Sequence, residues 1–146
     1  VFVAGHSAGG YLTSMIGLDK RWLEPYGIDP DTAFVALIPY SGQVVTHFER
    51  RRELGLPDTQ PLVDDMAPLS YVRPDCRPML ILSGDREREM LGRYEENAYF
   101  WRMMRVAGHP DVRICEFDGF DHGNMPQAGH FVAVRYIREM ERRMDR

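Results

Sequence analysis

Nowhere in the 146 residues does an apolar run approach the roughly 18 needed for a membrane-crossing helix. Cysteine is nearly absent. Cys76 and Cys115 are the only two, and they form neither a CxxC nor a metal-like spacing; a disulfide between them is the alternative, but a domain of this size does not need one, and buried free thiols are favoured. Basic excess is lacking too. Eighteen Lys and Arg stand against 22 Asp and Glu, a net charge of −4, so there is no positive field to hold phosphates and a nucleic-acid partner is excluded. The arginines of Glu49-Arg50-Arg51-Arg52-Glu53 and Arg142-Arg143 are local and flanked by acids, and both runs read as solvated helix faces. No repeat, low-complexity tract or signal peptide is visible.

What is present is ordinary for a soluble globular domain: 44% hydrophobic and 27% charged residues, in a length that suits one domain with a real core. Short apolar β-prone runs occur near 1–5, 33–39 (Phe34–Pro39, FVALIP), 78–83 and 112–117. Helices are expected over Tyr11–Gly17, over Leu91–Val106 with Leu91, Tyr94, Ala98 and Trp101 on one face, and from Gln127 onward with Ala133, Ile137, Met140 and Met144 inward. Gly108-His109-Pro110 stops the second of these. Buried strands alternating with helices predict an α/β fold with a mainly parallel sheet in the order of the chain. The connector from Ser41 to Arg77 is long for a crossover. Its prolines at 57, 61, 68 and 74 suggest an ordered excursion, a pocket or cap segment.

The chemistry lies in Gly5-His6-Ser7-Ala8-Gly9, a G-x-S-x-G run between an expected strand and an expected helix. A serine on so tight a turn is pushed out from the sheet as an exposed nucleophile. Glycines on either side avoid collisions of a Cβ with neighbouring backbone, and Gly10 allows still closer packing. The helix N-terminus offers the Ala8 N–H as one oxyanion donor.

A serine needs a base, and the base an orienting acid. His122, in Phe117-Asp118-Gly119-Phe120-Asp121-His122-Gly123 after the last strand, is placed to emerge beside Ser7. His109 belongs to a loop entering a strand, His130 to the last helix, and His6 to the turn itself. His47 could line a pocket in the connector. For the acid, Asp85, Glu87 and Glu89 follow the strand ending at Gly84. Spacing favours Glu87, with Asp85 the alternative, a residue that could instead cap the turn. Glu89 reads as an acid in the first turn of the next helix.

The segments GHSAGG, PMLILSGDRERE and GFDHGNM resemble the nucleophile elbow, acid loop and histidine loop of the α/β-hydrolase superfamily, and EEN-x-x-F-x-x-M is similar to its esterase and kynurenine-formamidase-like branch. In that family the acid commonly sits three residues after the strand-ending glycine, here Glu87 rather than Asp. The resemblance implies the later half of an α/β-hydrolase fold, strands five to eight, with the oxyanion loop of HGGG type lying before Val1. It implies a serine hydrolase of carboxylic esters that uses no metal or cofactor. An arylformamidase-type amidase with the same triad is the alternative, and a binding module keeping the elbow as scaffold is the alternative of another class. The expected partner is a small-molecule ester, with self-association through an exposed Val1–Ala4 edge strand.

Overall fold

The computed structural model describes all residues, 1–146. Four strands, β1 (Phe2–His6), β2 (Ala36–Tyr40), β3 (Met79–Gly84) and β4 (Val112–Phe117), form one parallel sheet in the order β1-β2-β3-β4. Register runs Val3 to Leu37, Leu37 to Met79 and Met79 to Val112. Every strand therefore ends on the same side. The order is the one the apolar runs predict, although β2 begins at Ala36, because Pro30–Ala33 turns first into a short helix, α2.

Strands β2 and β3 are buried along their whole length because both faces are covered. Period-two alternation divides their side chains. Ala36, Ile38, Tyr40, Leu80 and Leu82 face Met125, Ala133, Tyr136 and Met140 of α5 (Met125–Met144). Leu37, Met79 and Ile81 face the other way, with Leu18 of α1 (Ala8–Leu18) and Phe100 and Met104 of α4 (Arg93–Val106). Each such aliphatic side chain contributes about 1.5–3 kcal/mol when fully buried. The sheet is thus a plate between two helical layers.

Three expectations need correction. On α4 the buried positions are Arg93, Asn97, Phe100 and Met104, so its inward face is turned away from the expected Leu91–Tyr94–Ala98–Trp101 stripe, and Leu91 is fully exposed. Polar side chains occupy half of that inward face, which hides it from a hydrophobic-period reading. On α5 the face is as expected at Ala133 and Met140, but Met144 is exposed. In the connector, the run at 49–53 lies on α3 (Phe48–Glu53), and Arg51 is buried rather than solvated, with its Nη1 donating to the carbonyls of Asp58 and Gln60. Cys76 is buried and Cys115 half-buried, both as free thiols. No helix is long and apolar enough to cross a membrane.

Candidate active site

Ser7 caps α1 with φ 58° and ψ −114°. That left-handed backbone is rare for a residue with a Cβ, and such strain costs about 1–3 kcal/mol. The turn is tight enough to need glycine at Gly5, where an added Cβ would lie 2.3 Å from the Gly9 carbonyl oxygen. Gly10 is also confined, though less tightly, 2.8 Å from the Tyr40 carbonyl oxygen by the same measure. Gly9 departs from the expectation, since a Cβ there would meet open space. The turn is tied to the sheet by the Ser7 N–H, which donates to the Tyr40 carbonyl at 2.8 Å. Ala8 is the first residue of α1, so its amide has no intrahelical acceptor and is free to meet an oxyanion.

His122 is brought to Ser7 from 115 positions away, with Nε2 2.9 Å from the serine Oγ. Its loop is locked to the elbow by His6, whose Nε2 lies 2.8 Å from the His122 carbonyl and whose ring packs 4.8 Å from the His122 ring. Burial lowers the pKa of His6, with the nearby His122 adding to the effect and the bond to the His122 carbonyl opposing it.

The acid facing His122 is neither Glu87 nor Asp85. Glu89 Oε1 is 2.5 Å from His122 Nδ1, and its other oxygen accepts the Ser41 hydroxyl and the Gly84 N–H. The physical reason is a turn. The N–H groups of Arg88 and Glu89 both donate to the Asp85 carbonyl, winding the chain back over the end of β3 so that residue 89 points inward. Glu87 is left exposed at the crest. Asp85 accepts from the N–H groups of Glu87 and Gly119, at 2.8 and 2.7 Å, which fixes the acid loop against the histidine loop. Helix α4 starts only at Arg93, so Glu89 precedes it rather than sitting in its first turn. Burial works to raise the pKa of Glu89, but hydrogen bonds from His122, Ser41 and the Met90 N–H outweigh it and hold the carboxyl down at about 2.

Ser41 is the residue that the sequence reading missed. It follows β2 with φ 47°, is fully buried, and sets its Oγ 3.2 Å from His122 Nδ1 while bonding Glu89. Its carbonyl accepts from Arg93 Nη1 at 2.5 Å. The signal available was Ser41-Gly42 directly after an apolar strand. Gly42 is needed there because a Cβ would press on the backbone of Gly10 and Tyr11. The other histidines stand apart. His109 is buried against the Cys76 carbonyl, His130 meets the Tyr40 hydroxyl on α5, and His47 packs between Tyr11 and Phe48. No three His, Cys, Asp or Glu residues are placed to hold a metal ion.

The arrangement is a hydroxyl, an imidazole and a carboxylate in line, at the ends of β1, β4 and β3, with a free amide beside the hydroxyl. No protein-family model matches the chain, and no curated protein sequence does. Its fold is similar to that of a thermophilic esterase from the planctomycete Thermogutta terrifontis. With propionate bound, that structure aligns at TM-score 0.71 and 21% identity, covering 95% of this chain and 55% of the esterase. The native form aligns at 0.71 and 20% over 95% and 54%. The form phosphoramylated by tabun aligns at 0.68 and 20% over the same shares. The chain thus spans about half the length of the structures it matches. It has a partial α/β-hydrolase fold, the one these esterases share.

Proposed function

We propose that the chain carries the catalytic centre of a serine hydrolase acting on carboxylic esters, with Ser7 as nucleophile, His122 as base and Glu89 as orienting acid. The observation that carries this reading is the unbroken contact from Ser7 Oγ to His122 Nε2 and from His122 Nδ1 to Glu89. Ser7 Oγ forms a bond to the substrate carbonyl carbon while His122 Nε2 takes the hydroxyl proton. The carbonyl oxygen gathers negative charge beside the Ala8 N–H and the N-terminal end of α1. As the C–O bond to the alcohol breaks, His122 returns the proton to the leaving oxygen, and an acyl-serine remains. Water then repeats the sequence and frees the acid. Glu89 stays ionised throughout, holding the imidazole ring and balancing its transient positive charge.

The related esterase has been captured phosphoramylated by tabun and phosphonylated by sarin, and the same class of probe tests this chain. A fluorescent alkyl phosphonate should label the protein once, at Ser7, and Ser7→Ala should remove the label. Labelling elsewhere, or equal labelling of the variant, rejects the reading. Turnover of a short aryl ester beside an N-formyl aryl amide then separates esterase from amidase.

A further inference from the structure

Only two non-glycine residues in the chain have positive φ, Ser7 at 58° and Ser41 at 47°. Each directly follows a strand, and His122 lies between them, with Ser7 Oγ 2.9 Å from its Nε2 and Ser41 Oγ 3.2 Å from its Nδ1. Left-handed backbone at a residue with a Cβ persists only where its surroundings hold it. For Ser7 the elbow does so. For Ser41 the holding groups come from α4. Arg93 Nη1 donates to the Ser41 carbonyl at 2.5 Å, and Asn97 Nδ2 donates to the Gly42 carbonyl at 2.8 Å. The same Asn97 nitrogen bonds the Arg93 carbonyl one turn back, so the two grips are tied together. Arg93 is only 4% exposed and Asn97 is fully buried. The Arg93 charge is answered by Glu96, 3.1 Å from its Nε, and by Glu89. Burying a guanidinium and an amide is costly unless bonds offset it, and here those bonds go to two consecutive carbonyls of one turn.

That turn matters for what it aims. For His122 to act as base at Nε2, its own proton sits on Nδ1 and goes to Glu89 Oε1. The Ser41 hydroxyl donates its proton to the other oxygen, Oε2, which also accepts the Gly84 N–H at 3.2 Å. With both oxygens bonded, the carboxylate is fixed against rotation about its stem, and a Ser41 lone pair faces Nδ1. An imidazole turned positive by the Ser7 proton then meets a carboxylate and a hydroxyl oxygen already in place, the preorganisation that lowers a barrier. Glu89 and Arg93 are four residues apart, so one short stretch holds Ser41 at its hydroxyl and at its carbonyl.

We propose that Ser41 and Arg93 are positioning residues for the chemistry at Ser7: Arg93 fixes the Ser41 backbone, Ser41 fixes Glu89, and Glu89 fixes the imidazole. The proposal rests on Ser7 being the nucleophile, and Ser7→Ala assayed beside the other variants keeps the two apart. The readout is labelling by the fluorescent alkyl phosphonate, resolved into a maximal rate at saturating probe and a half-saturating concentration. Ser41→Gly and Ser41→Ala both remove the hydroxyl, but glycine accepts φ 47° freely and alanine does not. Both should lower the maximal rate at least about tenfold, the worth of a hydrogen bond to a charged group, with the half-saturating concentration changed less than about twofold. Ser41→Gly should unfold at higher urea than Ser41→Ala, so equal losses of rate across unequal stabilities mark the hydroxyl and not the fold. Arg93→Met should lower the rate about tenfold in the parent but less than about twofold in Ser41→Gly, since a residue acting through another has little left to do once that other is gone. If Arg93→Met does not fold, Arg93→Lys, which keeps the charge and loses the planar fork, takes its place in the same comparison. A rate in Ser41→Gly within about twofold of the parent, rates that follow stability across the two Ser41 variants, or the same factor for the Arg93 variant in both backgrounds overturns the proposal. Labelling that survives Ser7→Ala overturns the Ser7 reading and this proposal together, whereas loss of the label in Ser7→Ala with an unchanged rate in Ser41→Gly overturns this proposal alone.

Discussion

The Glu89 carboxylate meets the His122 ring from 33 positions earlier in the chain, at 2.5 Å, and it is held there on its far side by the hydroxyl of Ser41. Glu87, two residues away, reaches no imidazole and lies in solvent. In the active protein, Glu89→Gln should lower kcat by about three to four orders of magnitude, the size of effect seen when an orienting acid is neutralised. Glu87→Gln should change kcat less than about threefold. Steady-state ester hydrolysis by both variants decides the matter, and the reverse ranking would return the role to Glu87.

The two glycines of the elbow should respond in opposite ways. A Cβ at position 5 collides with the Gly9 backbone, which cannot yield without opening the turn. Gly5→Ala should therefore destabilise by about 1–3 kcal/mol or more. Gly9 is helical with open space beside it, so Gly9→Ala should be neutral or stabilise by up to about 1 kcal/mol. Urea unfolding midpoints of the two variants give the comparison.

Acid should act on stability in two stages of opposite sign. Burial, opposed by Arg93, holds the Glu96 carboxyl up at about 7, against an ordinary value near 4.5. The folded chain thus binds that proton more readily than the unfolded one, and stability rises as pH falls from 7 toward 4.5. Glu89 behaves the other way. With its carboxyl held at about 2, its contribution is complete above 4.5 and is lost as pH falls toward 2. These two groups together place a maximum near pH 4.5. Unfolding free energies across pH 2 to 8 should show it, with Glu96→Gln flattening the upper limb and Glu89→Gln the lower.

Thiol chemistry offers a separate check on the core. Burial pushes the Cys76 thiol up to about 12, while Cys115 is raised less and is half-buried on β4. Ellman's reagent at pH 8 should modify Cys115 first, and Cys76 only at the rate of unfolding. Rapid labelling of both thiols would show that the layer between β3 and α4 is more open than described.

The parts of the site that were legible in sequence were those whose backbone demands are local. Gly5 and Ser7 announce a strand-to-helix turn within five residues, and His122 follows a strand at a distance the fold permits. Glu89 was harder to read because its direction is set by a turn closed on the Asp85 carbonyl, which shifts the start of α4 to Arg93. Nothing in Asp85-Arg86-Glu87-Arg88-Glu89 distinguishes one acid from another until that turn is known. Ser41 was hidden for a different reason: its role arises from contacts with residues 48 and 81 positions away. The inward face of α4 misled because Arg93 and Asn97 occupy it, bonding the carbonyls of Ser41 and Gly42. A hydrophobic pattern cannot report polar side chains that are buried to hold a loop.

The four side chains of the candidate site stand at the ends of four strands, at positions 7, 41, 89 and 122. On the ribosome this separation becomes a delay. Ser7 is made 115 residues before His122, and at about 5–20 residues per second the interval is on the order of ten seconds. On the proposed reading of Ser7 as nucleophile, the serine is an ordinary alcohol throughout that time, unable to attack an ester or to be captured by a phosphonate. Labelling of arrested nascent chains should therefore begin only at lengths that let β4 and the loop after it leave the exit tunnel.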